Sequence, residues 1–392
     1  MATDLPLVQN RGMRHVFFVA GAALILSLYL IGCSYKPNNN LGSGSTGPNL
    51  LHVYNGNTMG FYTNTGAYGI NKSKAASIFS LGQNFGGGQQ FVQDTSNGLF
   101  FIGTTTCTSG CEMVLFFNGR GGGFRSGSLT NSEEILASGG VATGLAVDST
   151  YNYLFVADAA HNTVYSIDAS VGSIMTGPTL APTGTGANYL GYDSYLKRLL
   201  VAETTLGTVW ALSEPGNMPL ATSPAQLTIT SGACAANNIS YIAVNSPEHY
   251  AYVLCGNAVV YLRTYNSPTY AGGSVGASTF TATGLTTATD IINDTVNGTV
   301  VLSGQNFVVS MDAMTGATGT TMDLTSGNCG FASLDLEALA YSSSSNTIYV
   351  ADAANNMIYL LDGGTLNFKN GTCTNSSFAT PDVPGPVRLS FF

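Results

Sequence analysis

Charge is what this chain of 392 residues has least of: Asp, Glu, Lys and Arg together make up 8%, against about a quarter of an ordinary soluble domain. The shortage of Glu, Lys and Arg removes the residues that build exposed helix faces, and the chain reads as all-β. Lys and Arg number 12 against 21 Asp and Glu, a net charge of −9, and no basic run occurs. That excludes the clustered cations that neutralise nucleic-acid phosphates or grip an acidic membrane surface. Also missing are H-E-x-x-H, G-x-S-x-G, a P-loop and an EF-hand loop, and with them the commonest metal, nucleophile and phosphate chemistries. What is plentiful is apolar side chain, at 44%, and glycine, at 48 residues. The first supplies a core, and the second, with Ser, Thr and Asn, supplies turns.

The N-terminus reads as a targeting segment. Arg11 and Arg14 precede an apolar run, Val16 to Ile31, of 16 residues that include one serine, Ser27. A positive flank before an apolar stretch is the pattern of a secretory signal, and the run is short of the ~20 residues a spanning helix needs. At its end, Leu30-Ile31-Gly32-Cys33 resembles the bacterial lipobox, which implies cleavage before a diacylated Cys33; a membrane-anchor helix is the alternative. Ser34 after the cysteine resembles the outer-membrane sorting pattern of Gram-negative lipoproteins. Loss of Arg11, Arg14 and Asp4 would leave the mature chain at −10. The Gly/Ser/Asn stretch from Asn38 is a flexible tether by composition. The expected organisation is a signal over 1–32, a tether over 33–49 and one folded body over 50–392.

That body repeats. "LFVADAAHNTVYSID" from Leu154 returns as "IYVADAANNMIYLLD" from Ile348. With Val156 as anchor, equivalents stand at Val53, Ile102, Val201, Val253, Leu302 and Val350, spaced 49, 54, 45, 52, 49 and 48 residues apart in chain order. A period near 50 built from β segments alone predicts propeller blades of four strands. Asp94, Asp148, Asp193, Asn245 and Asp294 precede the anchors where a side chain can hold a tight turn. An aromatic column follows them at Tyr62, Tyr165, Trp210, Tyr261 and Tyr359, read as packing between blades. The two "VADAA" segments resemble NHL and YVTN-type propeller repeats, in which a V-A-D turn joins the second and third strands. The resemblance implies a seven-bladed β-propeller whose carboxylates Asp158, Glu203 and Asp352 bond to their own turns rather than forming a cation-attracting rim. "VRLSFF" near the C-terminus aligns with "TGLAVD" from Thr143, so the last strand is expected to complete the first blade and remove the open sheet edges.

Six cysteines remain beyond Cys33, an even number for an exported chain. Propeller geometry gathers the connections between blades and the second-to-third strand turns on one face. The pairs it suggests are Cys107–Cys111, Cys234–Cys255 and Cys329–Cys373, with free buried thiols as the alternative. The three histidines after Cys33, His52, His161 and His249, fall in a strand, on that face and on the opposite one. The residues that begin each innermost strand, Gln89, Thr143, Asn188, Ser240, Thr289 and Glu337, with Asp290 beside Thr289, are the candidate lining of a channel mouth. A single ring carboxylate is thin for calcium, which takes several oxygen ligands. The expectation is therefore a lipid-anchored envelope protein, without cofactor, that binds a protein, peptide or glycan on the stapled face. The alternatives are a lactonase-like metal hydrolase, from the similarity of such enzymes' folds, and a structural subunit of an envelope assembly.

Overall fold

Asp, Asn and Gly cut the apolar stretches of this chain into short antiparallel strands. The computed structural model describes residues 50–63, 77–80, 91–94, 98–103, 114–118, 139–169, 173–176, 186–213, 225–229, 234, 238–246, 250–263, 273–275, 277–281, 285, 287–325, 329–331 and 333–391. All belong to the second of the two units into which the chain divides, Met1–Gly42 and Ser43–Phe392. The apolar run before Cys33 lies outside them, and no described helix is long and apolar enough to cross a membrane.

Four of the innermost strand pairs share one local device. Asp148 Oδ1 accepts Thr150 N at 2.8 Å, Asp193 Oδ1 accepts Tyr195 N and Leu196 N at 2.9 and 3.0 Å, and Asp294 Oδ1 accepts Val296 N and Asn297 N at 3.1 and 3.0 Å. In the seventh sheet Ser342 takes the place of the acid and accepts from Ser345 N at 3.4 Å. Four residues after each, the chain passes through the left-handed region, with φ of +59° at Asn152, +52° at Lys197, +64° at Gly298 and +47° at Asn346. Gly and Asn adopt that conformation at little cost. Lys197 does not, but its ammonium reaches Asp148 Oδ2 at 3.1 Å and lies 4.8 Å from the Tyr151 ring centre.

The described strands form seven sheets. The first holds Leu50–Tyr54, Thr58–Thr63 and Ser77–Ser80, and Arg388–Phe391 lies antiparallel beside Leu50–Tyr54. The second holds Phe91–Asp94, Leu99–Gly103 and Val114–Asn118. The third to seventh begin with Ala142–Asp148, Ala187–Asp193, Ile239–Asn245, Asp290–Asp294 and Leu336–Ser342, and each continues outward through three more antiparallel strands. The fourth gains a fifth strand, Gly273–Val275, which pairs in parallel with its outer strand Ala225–Ile229 and comes from the chain of the fifth sheet. The anchors of the sequence repeat occupy one register: Val156, Val201, Val253, Leu302, Val350, Ile102 and Val53 sit opposite Leu145, Leu190, Ile242, Ile291, Leu339, Phe91 and Leu389.

Burial is organised between sheets. Phe155 and Leu190 pack with Trp210 between the third and fourth, Leu254 with Leu302 between the fifth and sixth, and Val53 with Leu360 between the seventh and first. Four more such wedges join the remaining neighbours. The first strands neighbour one another in chain order, and Arg388–Phe391 stands between Leu336–Ser342 and Phe91–Asp94. This is a β-propeller arrangement, with twisted sheets packed face to face about their first strands.

Candidate functional site: the start of the innermost strands

The innermost strands do not begin regularly. In four of them the register slips by one residue, between Ala142 and Gly144, Ala187 and Tyr189, Ile239 and Tyr241, and Leu336 and Ala338. The extra residues are Thr143, Asn188, Ser240 and Glu337, four of the channel-mouth candidates. A bulge re-aims its side chain, and here the aim is largely toward neighbouring backbone. Thr143 Oγ1 donates to Ala187 O of the next sheet at 2.7 Å, and Thr289 Oγ1 donates likewise to Leu336 O. Ser240 Oγ donates to Leu254 O at 3.4 Å, and Asn188 Nδ2 to Thr204 Oγ1 at 2.6 Å. These side chains stitch strands and sheets together. Gln89 lies outside the described residues.

The residue one step further on in each strand makes the more informative ring. It precedes the register position set by Leu145 and its equivalents, and among the described residues consists of Gly144, Tyr189, Tyr241, Asp290, Ala338 and Arg388. Asp290 and Arg388 both line a cavity of about 250 Å³, together with Tyr241, Tyr341 and Phe91. The Tyr189 and Tyr241 rings lie 5.6 Å apart. Toward the other ends of the same strands a second cavity, of about 280 Å³, is walled by Val92, Leu145, Leu190, Val244 and Ile291 and shares Tyr241 with the first.

Asp290 is the most perturbed acid of the site. It is 7% exposed, and its oxygens accept Ile291 N and Leu339 N, each at 2.8 Å. Burial pushes its carboxyl up to about 6, against the pull of Arg388 and the two amides, and the Glu337 charge adds to the rise. Glu337 is also raised, by burial first and then by the Asp335 charge, with Arg388 opposing. Burial raises the Tyr189 hydroxyl, with the Arg388 and Asp290 charges acting on it in opposite senses. Arg388 therefore faces carboxylates from the sixth and seventh sheets and a tyrosine from the fourth. Sequence reasoning passed over it, although the alignment of "VRLSFF" with "TGLAVD" sets Arg388 beside Gly144, the column of Asp290.

The turn carboxylates are consumed locally. Asp158 Oδ1 accepts Val141 N, Ala160 N and His161 N, and Oδ2 meets His161 Nδ1 at 2.7 Å. Asp352 Oδ1 accepts Asp335 N and Asn355 N, while Oδ2 accepts Asn355 Nδ2 and Tyr359 OH. Glu203 Oε2 accepts Thr208 Oγ1 and Trp210 Nε1, which gives the only tryptophan a bonded place between sheets. His52 is fully buried, its ring stacked 4.8 Å from that of Phe100. Among the described residues, no three His, Cys, Asp or Glu come together as a group able to hold a metal.

Disulfides join Cys234 to Cys255 and Cys329 to Cys373. Cys234 and Cys329 lie in the connections that lead into the fifth and seventh sheets. Cys33, Cys107, Cys111 and His249 lie outside the described residues.

No protein-family model matches the chain, and no curated protein matches it. Its fold is similar to solved ones. A functionally unknown protein from Desulfotomaculum acetoxidans DSM 771 aligns over 88% of this chain and 99% of its own, with TM-score 0.59 and 10% identity. Hydrazine synthase from Kuenenia stuttgartiensis aligns over 78% of this chain and 89% of its own, with TM-score 0.56 and 11% identity. At such identities the likeness is one of fold, and fold does not carry function.

Proposed function

We propose that the chain is a non-catalytic binding protein of a bacterial cell envelope, acylated at Cys33 and held off the membrane by residues 33–49. In this reading residues 50–392 form a closed seven-bladed propeller. The pairing of Arg388–Phe391 with Leu50–Tyr54 and the apolar wedge between the seventh and first sheets support closure. The partner is a protein, peptide or glycan, and it docks on the face where the innermost strands begin.

One observation carries the choice of face: both described disulfides fasten connections that lead into innermost strands. Loops fastened in advance lose less freedom on binding. The opposite face carries exposed Tyr195, Val296 and Met314, but single apolar residues scattered over turns are ordinary surface. The test is to extract the protein from its native envelope in mild detergent, capture its partner by cross-linking and measure hydrogen exchange on the complex. Protection at the connections around Cys234 and Cys329 is expected. Protection confined to the turns after Asp148, Asp193 and Asp294 overturns the choice of face. A stable stoichiometric complex that resists dissociation would favour the structural-subunit reading. Intact mass of the native protein tests the anchor: an unprocessed Met1 would refute acylation at Cys33.

The hydrolase reading has one observation in its favour, a carboxyl poised near neutral pH in a cavity. Metal-dependent lactone hydrolysis that disappears in Glu337→Gln or Asp290→Asn would establish it over the binding reading.

A further inference from the structure

The ring formed by Asp290, Arg388, Tyr189 and Tyr241 lies just inside the face where the innermost strands begin, and the ligand argued for it here does not require the envelope partner proposed above. Two features of this ring point to a ligand. First, one cavity wall carries both a carboxylate and a guanidinium, delivered by different sheets. Second, apart from Ser390 the remaining side chains of that wall are aromatic or aliphatic, with Phe91, Tyr241, Tyr341 and Leu339 among them. A wall with both signs of charge on an apolar ground complements a molecule with both signs on an apolar body. At about 250 Å³ the cavity falls below the ~300 Å³ at which drug-sized pockets begin, so the ligand is small. The aromatic rings also favour an ammonium over their faces, while the planar guanidinium suits a carboxylate's two oxygens.

We propose that this cavity binds a free α-amino acid with an apolar side chain, its ammonium toward Asp290, its carboxylate toward Arg388 and its side chain among Phe91, Tyr241 and Leu339. A simple amine brings no carboxylate to the Arg388 guanidinium, whose Nη1 also donates to Val387 O at 2.7 Å, and a simple acid meets Asp290 and the nearby Glu337 as like charges. Neither therefore uses the full site. The adjoining apolar cavity, which shares Tyr241, gives a large side chain room to extend.

The test is calorimetric titration of the full chain in detergent with L-phenylalanine, 2-phenylethylamine and 3-phenylpropionate. Saturable binding of L-phenylalanine is expected, at least tenfold tighter than either analogue. Asp290→Asn should weaken phenylalanine and the amine but spare the acid. Arg388→Gln should weaken phenylalanine and the acid but spare the amine. No saturable binding of phenylalanine up to 10 mM, or equal affinity for all three ligands, overturns the proposal, and this comparison needs no variant to fold. Variants that melt like the parent yet bind phenylalanine unchanged overturn it too. Because the titration contains no envelope partner, its failure leaves the docking reading untouched, and the reverse also holds.

Discussion

The seventh and fifth sheets hold their incoming chain at the same place by different chemistry. In the seventh, Asp352 closes the second strand and its carboxylate accepts Asp335 N of the incoming chain at 3.1 Å, while Ala353 N returns a bond to Asp335 O. The third sheet repeats this with Asp158, Val141 and Ala159. In the fifth sheet the same column holds Cys255, joined covalently to Cys234 of the incoming chain. The turn that follows explains the difference. After Asp158 and Asp352 four residues separate the paired strands, and the amides of His161 and Asn355 fold back on the carboxylate. After Cys255 only Gly256 and Asn257 intervene before Ala258, too few for such a return. The sixth sheet has an equally short turn and a third solution: at Gly304 a Cβ would lie 2.2 Å from Thr287 O, so glycine lets the incoming backbone lie directly against the strand end. In these four sheets the column preserves a mechanical task and turn length goes with the means, whereas in the fourth Glu203, before a turn of four residues, spends its carboxylate on Thr208 and Trp210.

The strongest way to break this comparison is Asp352→Ala. It leaves Asp335 N, Asn355 and Tyr359 OH without their buried acceptor and should cost about 4 kcal/mol in urea unfolding. A cost under 1 kcal/mol would show that the carboxylate is no clamp. Next come the disulfides. Cys329→Ala with Cys373→Ala opens a separation of 44 residues and Cys234→Ala with Cys255→Ala one of 21, for expected losses of about 4 and about 3 kcal/mol on the loop-entropy scale. Unchanged melting under reductant would remove the equivalence between sulfur and carboxylate.

Asp290 marks the contrast between a clamp carboxylate and a site carboxylate. Its folded pKa stands above the unfolded one, so the folded protein keeps a proton that the unfolded chain gives up. The resulting stability is fully present below pH 3.8 and is lost as pH rises through about 6, by roughly 3 kcal/mol at most. Asp290→Asn should flatten this slope between pH 4 and 6.5; an identical slope would assign it to other groups. The smallest expected effect sharpens the turn-length rule. In a Cys234→Ala background, Cys255→Asp should recover less than about 1 kcal/mol relative to Cys255→Ala, because the short turn offers the new carboxylate no returning amides. Recovery as large as the disulfide's own contribution would sink the rule.

Much of the fold could be read from spacing. The anchors are apolar because each is enclosed by a neighbouring sheet, and the Asp turns recur because a side-chain acceptor two residues before an amide makes the bend on its own. The turn bonds of Asp158 and Asp352 followed from the V-A-D resemblance, whereas Glu203 takes the hydroxyl of Thr208 and the indole of Trp210 in place of turn amides. Bulges leave no compositional mark: Thr143, Asn188, Ser240 and Glu337 share a backbone irregularity and no chemistry, so of the two charged residues of the cavity wall Asp290 was named only as the neighbour of Thr289 and Arg388 was not named. Ser342 escaped the turn column because a hydroxyl does there what a carboxylate does elsewhere. The parallel strand Gly273–Val275 was illegible for the opposite reason, since pairing through backbone alone asks nothing of its side chains.

The strand pairing between Leu50–Tyr54 and Arg388–Phe391 also sets a timetable. Asn55 Nδ2 donates to Pro384 O at 2.8 Å across 329 residues of sequence. A ribosome delivers one end of that bond long before the other, and the first sheet waits with an unpaired edge while six others are being made. The first sheet is therefore completed only after the strands of the other six have been made. Without the segment after Thr380 nearly all of the described strands remain but that edge is bare, so completion of the first sheet rests on Arg388–Phe391.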